Sequence, residues 1–496
     1  MESKINRITD ILRRDDGISG AMMYTEQISW ILFLKFLSDL EDSKADEALL
    51  NGQDYTYILD DKFKWSNWAC PKLKDEDGKI DLINAKSGED LLEFTNKELF
   101  PYLKGFKSIT QNAKSIKYKI GAIFEFLDNR IANGHTLREV LDIIDDMDFH
   151  NQADLFQLSL IYEKLLKNMG SDGGNSGEFY TPRPLVQVIC DVVNPQIEQT
   201  VYDPAVGSCG FLIEAYNHIR YENVEENKQR ELSTQQLKFL SEDTFFGNEK
   251  TPLSYVMGVM NMILHGIESP NISKANTLTK DIRGLEEKDR FDCILANPPF
   301  GGKENDSIQQ NFPIKSNATE LLFLQHMMNY LKLNGKCGVV IPEGVLFQTN
   351  KAFQSVKQEL LERFNVHTIL SLPAGIFLPY SGVKTNVIFF DRNGSSSDIF
   401  YYEVNPSYKL TKNKPIQYEH FKEFLDVWED RTLTDNSWIV NINDIKEFDI
   451  SAKNPNNIEV IEHKSPIELV ENIKGNNKEI DILMDEIEAI LNLGNK

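Results

Sequence analysis

The stretch that most constrains the fold of this chain is residues 297–300, Asn-Pro-Pro-Phe, which directly follow an apolar run at 291–296. Such a run predicts a buried strand. Two prolines end the strand at once, because each lacks an N–H and fixes φ. Open α/β sheets bind ligands in the crevice where their strands end. The pattern therefore predicts that Asn297 lies at the C-terminal edge of a sheet, and the alternation of strands and helices from 178 to about 391 predicts that this sheet is a doubly wound α/β sheet.

This tetrapeptide suits an exocyclic amine on a heteroaromatic ring. The amide oxygen of Asn297 and the carbonyl oxygen of Pro298 are two acceptors for the N–H bonds of an NH2 group. Two accepted bonds favour a pyramidal nitrogen and localise its lone pair, and Phe300 is placed to stack on the ring. Asparagine is a natural partner of the adenine amino edge. The alternative is a plain strand ended by a proline turn.

A second motif, residues 200–212, predicts a strand, a glycine-containing turn and a helix. Gly207 and Gly210 allow the backbone to approach a ligand closely, and Asp203 ends the strand. No lysine follows the second glycine, and the dinucleotide fingerprint is incomplete. A carboxylate beside such a turn suits a ligand with an ammonium group and a ribose but no pyrophosphate, such as S-adenosylmethionine. Glu249, after the next predicted strand, is placed to accept the ribose hydroxyls.

These segments, in this order, resemble the gamma-class amino-methyltransferases, and more narrowly the modification (methyltransferase) subunit of type I restriction–modification systems. The resemblance rests on residues 177–183, 203–205, 249, 260–266, 297–300, 372–377 and 383–387. It covers nearly the whole chain, including the helical N-terminus. The Asn-Pro-Pro-aromatic motif alone is shared with protein-glutamine and RNA methyltransferases, so the ordered set carries the argument.

The resemblance implies an S-adenosylmethionine-dependent enzyme that methylates adenine N6 in duplex DNA at specific sites. It implies catalytic roles for Asn297, Pro298, Pro299 and Phe300, and base stacking by Phe300 and Phe377, with core packing as the alternative for Phe377. The cofactor-binding residues that it implies are Glu178, Phe179, Tyr180, Thr181, Asp203, Ala205, Gly207, Ser208, Gly210, Phe211, Glu249, Asn276 and Leu278. No metal is expected, because the sulfonium already activates the methyl group.

Five further residues have two interpretations each or depart from the family pattern. Asn276 stands where the family usually has Asp, and it accepts through its oxygen without the charge. Cys209 replaces a small residue and is interpreted as a small buried hydrophobe. Arg183 is either a contact for a phosphate or the cofactor carboxylate, or an ordinary solvated arginine. His265 and His326 lie on apolar helical faces and are predicted to be core residues.

The formal net charge of −23 bears on whether this chain binds DNA alone or with protein partners. Lys and Arg neutralise phosphates and supply most non-specific affinity for DNA, so a chain this acidic is expected to bind duplex DNA poorly by itself. The resemblance implies a separate specificity subunit that holds the duplex, a restriction (translocase/nuclease) subunit and a second copy of this chain. The alternative is that net charge reflects solubility only.

The five cysteines have neither paired nor metal-like spacing, which predicts a reducing cytoplasmic location and no structural zinc. The longest apolar stretch, 28–40, carries Lys35 and is too short to span a bilayer. No membrane segment is therefore expected, and the first residues show no apolar signal segment.

The chain is predicted to divide into an all-α N-terminal domain at 1–170, a Rossmann-like methyltransferase domain at 171–450 and a C-terminal helical tail for assembly at 451–496. Residues 28–40 predict a buried helix, and Thr136 is a candidate N-cap. Residues 60–81 predict a loop or small hairpin. The glycine-rich stretch 170–177 marks the first boundary, with an ordered surface loop or a mobile lid over the cofactor as alternatives.

Strands are predicted at 200–202, 244–246, 291–296, 337–341, 367–372 and 385–390. In the tail, Ile480, Leu483, Ile487 and Ile490 recur at helix spacing and predict an apolar seam. This seam packs either on its own domain or on a partner helix.

Two rival functions remain open on the sequence. One is methylation of another substrate, RNA or protein glutamine. The other is a non-enzymatic assembly subunit with a decayed cofactor site, although Asp203, Glu249, Asn297 and Phe300 are all present.

Overall fold

The structure is a computed structural model of the chain. It describes residues 2–70, 86–110, 112–147, 149, 162, 165, 181–224, 226, 228–267, 269–379, 381–456, 470, 474–478, 480–484 and 487. The predictions made for Glu178, Phe179, Tyr180, Ile490 and the boundary at 170–177 lie outside these residues. Residues 1–453 form one compact unit and residues 454–496 a second.

The α-helices of the first unit alternate with strands from residue 183 onward. The helices are α1 (Glu2–Leu12), α2 (Ala21–Leu50), α3 (Trp65–Trp68), α4 (Gly88–Phe94), α5 (Phe100–Ile109), α6 (Ile116–Phe124), α7 (Gly134–Asp145), α8 (Arg183–Val193), α9 (Gly210–Arg220), α10 (Thr234–Glu242), α11 (Pro252–Leu264), α12 (Asp306–Gln309), α13 (Thr319–Tyr330), α14 (Glu343–Phe347), α15 (Lys351–Arg363) and α16 (Lys422–Val427). The strands are β1 (Val201–Asp203), β2 (Tyr221–Asn223), β3 (Lys228–Gln229), β4 (Phe245–Glu249), β5 (Asn271–Lys274), β6 (Phe291–Ala296), β7 (Leu331–Pro342), β8 (Asn365–Ser371), β9 (Thr385–Asp391), β10 (Asp398–Glu403) and β11 (Ser437–Asn441).

The main sheet has nine strands in the order β11-β10-β8-β9-β7-β6-β1-β4-β5. Strand β9 is antiparallel to β7 and β8, and β11 is antiparallel to β10, whereas the other neighbouring pairs are parallel. Strand β1 lies between β4 and β6, so the direction in which strands are added reverses beside it. Ligands bind at such switch points, and the predicted Rossmann-like fold class is confirmed.

Helix α2 is the centre of the helical N-terminal region. Ile28, Trp30, Phe33 and Leu37 are fully or almost fully buried on different faces of it, which confirms the predicted buried helix at 28–40. Lys35 is also buried, and its Nζ lies 2.6 Å from Asp39 Oδ1, because a buried cation needs a partner. Helices α2 and α6 pack against α11.

Two local predictions in this region are wrong. Helix α7 is capped by Asn133, whose side chain accepts from His135 N at 2.8 Å, and not by Thr136. Of the stretch 60–81, the described residues form a 3₁₀ turn and α3 instead of a loop or hairpin. Trp65 and Trp68 are buried, and this burial favours the helix.

Candidate active site

Three acidic or amide side chains meet at one edge of the sheet, because they follow the ends of adjacent parallel strands. Asp203 is the last residue of β1 and lies opposite Gly247 of β4, two residues before Glu249. Tyr202 lies opposite Ile294 of β6, the strand that Asn297 follows. The sheet therefore brings Asp203, Glu249 and Asn297 to its C-terminal edge, as the sequence predicted.

The turn between β1 and α9 is held by hydrogen bonds between its backbone and side chains of neighbouring elements. Gly207 has φ +49° and Cys209 φ +63°, a region that favours glycine. The Gly207 N–H donates to Glu249 Oε2 at 3.0 Å. The Asn261 amide of α11 donates to the Ser208 carbonyl at 2.9 Å. A Cβ on Gly258 of α11 would lie 2.8 Å from the Gly207 carbonyl oxygen, so this helix packs directly beneath the turn.

Glu249 has a structural role in this turn. It is 7% exposed, and besides Gly207 it accepts from the backbone N–H of Thr251 at 2.8 Å through Oε1. The Thr251 hydroxyl also donates to Oε1. Each carboxylate oxygen has two lone pairs, so Oε1 is fully used and Oε2 retains acceptor capacity for a ligand. Glu249 thus ties the β1 turn to the start of α11.

Asp203 is a buried carboxylate without a cation beside it. It is 1% exposed, and the Ala205 N–H donates to its Oδ1 at 2.9 Å. Within the described part of the chain, no lysine or arginine lies at ion-pair distance from it. Burial raises the pKa of Asp203 to about 8, against the opposing effect of the Ala205 N–H, and nearby Glu249 raises it further. The site therefore favours a positively charged ligand.

Asn297 is held in one orientation by a threonine from the other side of the site. Its Nδ2 donates to Thr181 Oγ1 at 2.9 Å. Its Oδ1 is buried and has no hydrogen-bond partner among the described residues. A buried acceptor without a partner costs free energy, and this one stands at the sheet edge next to the Asp203 turn. The arrangement leaves one buried amide oxygen whose acceptor capacity is unused among the described residues.

Phe300, three residues after this asparagine, packs against a second aromatic ring. Pro298 is buried, and Pro299 and Phe300 are half-buried. The Phe300 and Phe377 rings meet edge to face with centroids 5.9 Å apart. Phe377 is 4% exposed and belongs to the core, so core packing accounts for its position. Phe300 retains an accessible part of its ring at the edge of the sheet.

The remaining predicted cofactor residues surround the turn. Ala205, Ser208, Gly210 and Asn276 are half-buried. The Asn276 side chain accepts from the Leu278 N–H at 3.1 Å and starts the 3₁₀ turn Thr277–Thr279. Phe211 and Leu278 are buried.

The other candidate residues, Arg183, Cys209, His265 and His326, are described by their burial and hydrogen bonds. Arg183 Nη1 donates to the Gly210 carbonyl at 3.1 Å, and its Nε lies 3.4 Å from Glu214 Oε2. Cys209 is fully buried, in agreement with its interpretation as a small hydrophobe. His326 is fully buried and shares a hydrogen bond of 3.0 Å with the Tyr202 hydroxyl. His265 is half-buried and bonds to the Asn261 carbonyl.

Two residues of the site were not found from sequence in the roles that they have here. Thr181 was expected to bind cofactor, yet its hydroxyl contacts Asn297. Asn261, which holds the Ser208 carbonyl, was noted only as part of a family segment. Both contacts join distant parts of the chain, so only covariation between the paired positions would have revealed them.

Among the described residues, no group of His, Cys, Asp or Glu side chains is arranged to hold a metal ion. The same residues contain no helix with the length and apolar character that crossing a membrane requires.

A doubly wound sheet with acidic residues ending β1 and β4, and Asn-Pro-Pro-Phe after β6, defines a Rossmann-like methyltransferase. The chain belongs to the N-6 DNA Methylase family, whose model matches residues 152–465, and an HsdM N-terminal domain matches residues 1–157. It is an adenine-specific DNA methyltransferase subunit of the type I restriction–modification kind, as the sequence predicted.

Individual relatives agree with this assignment. The methylase subunit of the type I restriction enzyme EcoEI from Escherichia coli is 33% identical over 507 residues, with 99% of this chain and 97% of that protein covered. A modification subunit ascribed to a type I restriction enzyme of Vibrio vulnificus YJ016 is 35% identical with a TM-score of 0.81, covering 93% and 99% of the two chains. A chain from a structure on complex assembly and conformational transition of the type I R-M system is 40% identical with a TM-score of 0.76, covering 99% and 97%.

Proposed function

We propose that the sheet edge at Asp203, Glu249 and Asn297 binds S-adenosylmethionine and a flipped-out adenine of duplex DNA, and that methyl transfer to adenine N6 occurs there. The observation that carries the proposal is the buried, unpartnered Oδ1 of Asn297. An adenine amino group supplies the N–H that this oxygen lacks. The half-buried Phe300 ring stacks on the base.

The cofactor proposal rests on charge. S-adenosylmethionine, when bound, supplies a methyl group activated by a sulfonium. The buried Asp203 carboxylate and the free acceptor capacity of Glu249 fit the cationic groups and the ribose hydroxyls. Gly207, with φ +49°, and the rest of the turn bring backbone close to the ligand. Ala205, Ser208, Gly210, Phe211, Asn276 and Leu278 lie in or near this turn. For Glu178, Phe179 and Tyr180 the proposal of cofactor binding rests on the family resemblance of their segment alone.

The protein's own groups then act on the amine. Asn297 Oδ1 and the Pro298 carbonyl accept its two N–H bonds, and Pro299 fixes the turn that presents them. Thr181 holds the Asn297 amide so that its oxygen faces the amine. Holding both reactants in one geometry makes the step effectively unimolecular. No general base is required, because the proton leaves an acidified ammonium after transfer.

We further propose that the chain works within a complex. Residues 1–170 and 451–496 would serve assembly, and residues 171–450 would carry the chemistry. A specificity subunit would hold the duplex, since the net charge of −23 opposes DNA binding by this chain alone. A restriction subunit and a second copy of this chain would complete the assembly.

The first prediction tests the site through Asn297→Ala. Losing the oriented acceptor is expected to lower methylation by about a hundredfold or more, as for loss of one oriented group in other enzymes, while S-adenosylmethionine binding stays intact. The measurement is methyl transfer to duplex DNA by the assembled complex, with calorimetric cofactor binding as the control. Methylation within about tenfold of wild type, ~1.4 kcal/mol, would remove Asn297 from the mechanism.

A further inference from the structure

The segment that carries Phe377 leads from the candidate active site to a loop with no assigned role. Phe377 contacts Phe300 with ring centroids 5.9 Å apart. Two residues earlier, Gly375 has φ +83°, and a Cβ there would lie 3.5 Å from the Leu410 carbonyl oxygen. Residues 405–415, which we call the basic loop, therefore lie against the segment that supports Phe300.

The basic loop is positively charged in a strongly acidic chain. Residues 404–418 contain Lys409, Lys412 and Lys414 and no Asp or Glu, whereas the chain as a whole has a net charge of −23. All three lysines are exposed. None of them lies at ion-pair distance from a carboxylate in the described part of the structure, unlike Lys107, which pairs with Glu125 at 2.6 Å. Their charge is therefore available to an anionic partner.

The loop has a defined shape. Thr411 and Lys414 exchange two backbone hydrogen bonds of 3.1 Å each, which close a tight turn. The Tyr408 hydroxyl donates to the Pro415 carbonyl at 3.2 Å. Lys414 Nζ lies 5.9 Å from the centroid of the Tyr408 ring. These contacts fix the backbone that carries the lysines, so less backbone order has to be imposed when a ligand binds.

Between the basic loop and the sheet edge is a cavity of about 400 Å³. Its lining includes Ala374, Lys384, Glu403, Tyr408 and Lys409. Lys384 is paired with Glu343 at 2.8 Å, so Lys409 is the lysine of this lining that remains unpaired. The cavity separates the loop from the residues that follow β8 and precede β9.

We propose that the basic loop binds the phosphates that flank the target adenine on the methylated strand. The proposal rests on the proposed function, because it places the target base at Asn297. Phosphate neutralisation by lysine is the main source of affinity for DNA, and contacts of this kind fix the register of the strand. The basic loop supplies them beside the catalytic edge of an otherwise acidic chain.

The test is Lys409→Gln/Lys412→Gln/Lys414→Gln, in the complex assembled with its specificity subunit. The probe is a duplex carrying the sequence that this complex methylates in its host. The logarithm of the binding constant falls linearly with the logarithm of the salt concentration, and each lost phosphate contact makes this slope less steep by about 1. The slope of the triple variant is therefore expected to be less steep than that of wild type by about 3. The control Lys228→Gln/Lys238→Gln/Lys288→Gln removes the same number of lysines from β3, from α10 and from the turn before β6, none of them in the basic loop, and is expected to keep the wild-type slope.

A second duplex locates the contact. Neutral methylphosphonate linkages replace the three phosphates nearest the target adenine on the methylated strand, one for each lysine of the basic loop. The wild-type and control complexes are expected to bind this duplex more weakly than the unmodified one, whereas the triple variant is expected to bind both alike. If methylphosphonate weakens binding of the triple variant as much as that of wild type, the proposal is overturned. An unchanged salt slope in the triple variant overturns it as well. Failure of the triple variant to assemble would also overturn it, because the loop would then contact a protein partner. Failure of the proposed function appears separately, as methylation by Asn297→Ala.

Discussion

At the scale of single residues, the contact between Thr181 and Asn297 decides which atom of the amide faces the substrate. Thr181 Oγ1 accepts from Nδ2 at 2.9 Å, which leaves the buried Oδ1 as the amide atom without a partner among the described residues. An amide turned by 180° would present two donors to an adenine amino group and repel it. Thr181 is thus a positioning residue whose side chain need not touch the substrate.

The second prediction follows for Thr181→Val, which keeps the shape and removes the acceptor. Single-turnover methylation is expected to fall by about tenfold to a hundredfold, or ~1.4–2.7 kcal/mol, with cofactor affinity unchanged. Thr181→Ser retains the hydroxyl and is the matched control, expected to restore most of the rate. A valine variant as fast as the serine variant would show that the contact has no influence on the reaction.

The third prediction concerns protons at Asp203. Its pKa of about 8, raised by burial, leaves the carboxyl mostly protonated at pH 7. A bound cation favours the ionised form and lowers the pKa, so cofactor binding at pH 7 is expected to release about one proton. Calorimetry in buffers of different ionisation enthalpy measures this release. The number of protons released should diminish toward pH 9 and fall to zero in Asp203→Asn. If that variant releases as many protons as wild type, Asp203 is not the group that titrates on cofactor binding.

The same shift has a consequence for stability. A carboxyl whose folded pKa is raised contributes stability that is fully present below its unfolded pKa of about 4 and is lost as pH rises through about 8. The ligand-free site is therefore least favourable at alkaline pH, where the ionised carboxylate is buried without a cation.

At the scale of elements, Arg183 joins two helices that flank the site. It begins α8, two residues after Thr181, and reaches the Gly210 carbonyl and Glu214 of α9. The fourth prediction is that Arg183→Met lowers the free energy of unfolding by about 1–3 kcal/mol, since it removes charged hydrogen bonds from a partly buried pair. Thermal unfolding measures the loss. A fall in cofactor affinity without a fall in Tm would instead assign Arg183 to the cofactor carboxylate.

The elements differ in how far the sequence predicts them. Strand β6 is found at 291–296 as expected, because buried parallel strands are continuous apolar runs. Strand β5 is missed, since as an edge strand it buries Ile272 and exposes Ser273 and Lys274. Strand β10 is also missed, although its run 399–402 is buried and has the same signal as β6.

In the candidate site, too, residues with a local sequence signal are predictable and their long-range partners are not. Asp203, Glu249 and Asn297 are predictable because each follows an apolar run, and the topology then places the strand ends together. Their partners are not predictable from one sequence. Asn297 and its partner Thr181 are 116 positions apart in the sequence, and Ser208 and its partner Asn261 are 53 apart. No local periodicity distinguishes Thr181 or Asn261 from other polar residues.

At the scale of the whole molecule, charge and exposed apolar surface both point to assembly. The net charge is −23. In the unit formed by residues 454–496, three members of the predicted tail seam are helical and more than half exposed: Ile480, Leu483 and Ile487, at 55%, 56% and 51%. Exposed apolar side chains grouped on one element are characteristic of interaction sites, so we expect a partner helix to cover them.

The fifth prediction is that deleting residues 478–496 weakens association with the specificity subunit and leaves cofactor affinity unchanged. Burying one large aliphatic side chain is worth ~1.5–3 kcal/mol, so losing three anchors should raise the Kd by at least about a hundredfold. Leu483→Asp should have much of this effect, whereas Lys478→Asp adds a carboxylate outside the seam and should have little; mass photometry of the mixed subunits measures both. If the truncated chain assembles normally, the interface lies in the N-terminal helices. If the isolated full-length chain methylates one defined sequence at full rate, recognition resides in this chain and the need for a specificity subunit is refuted.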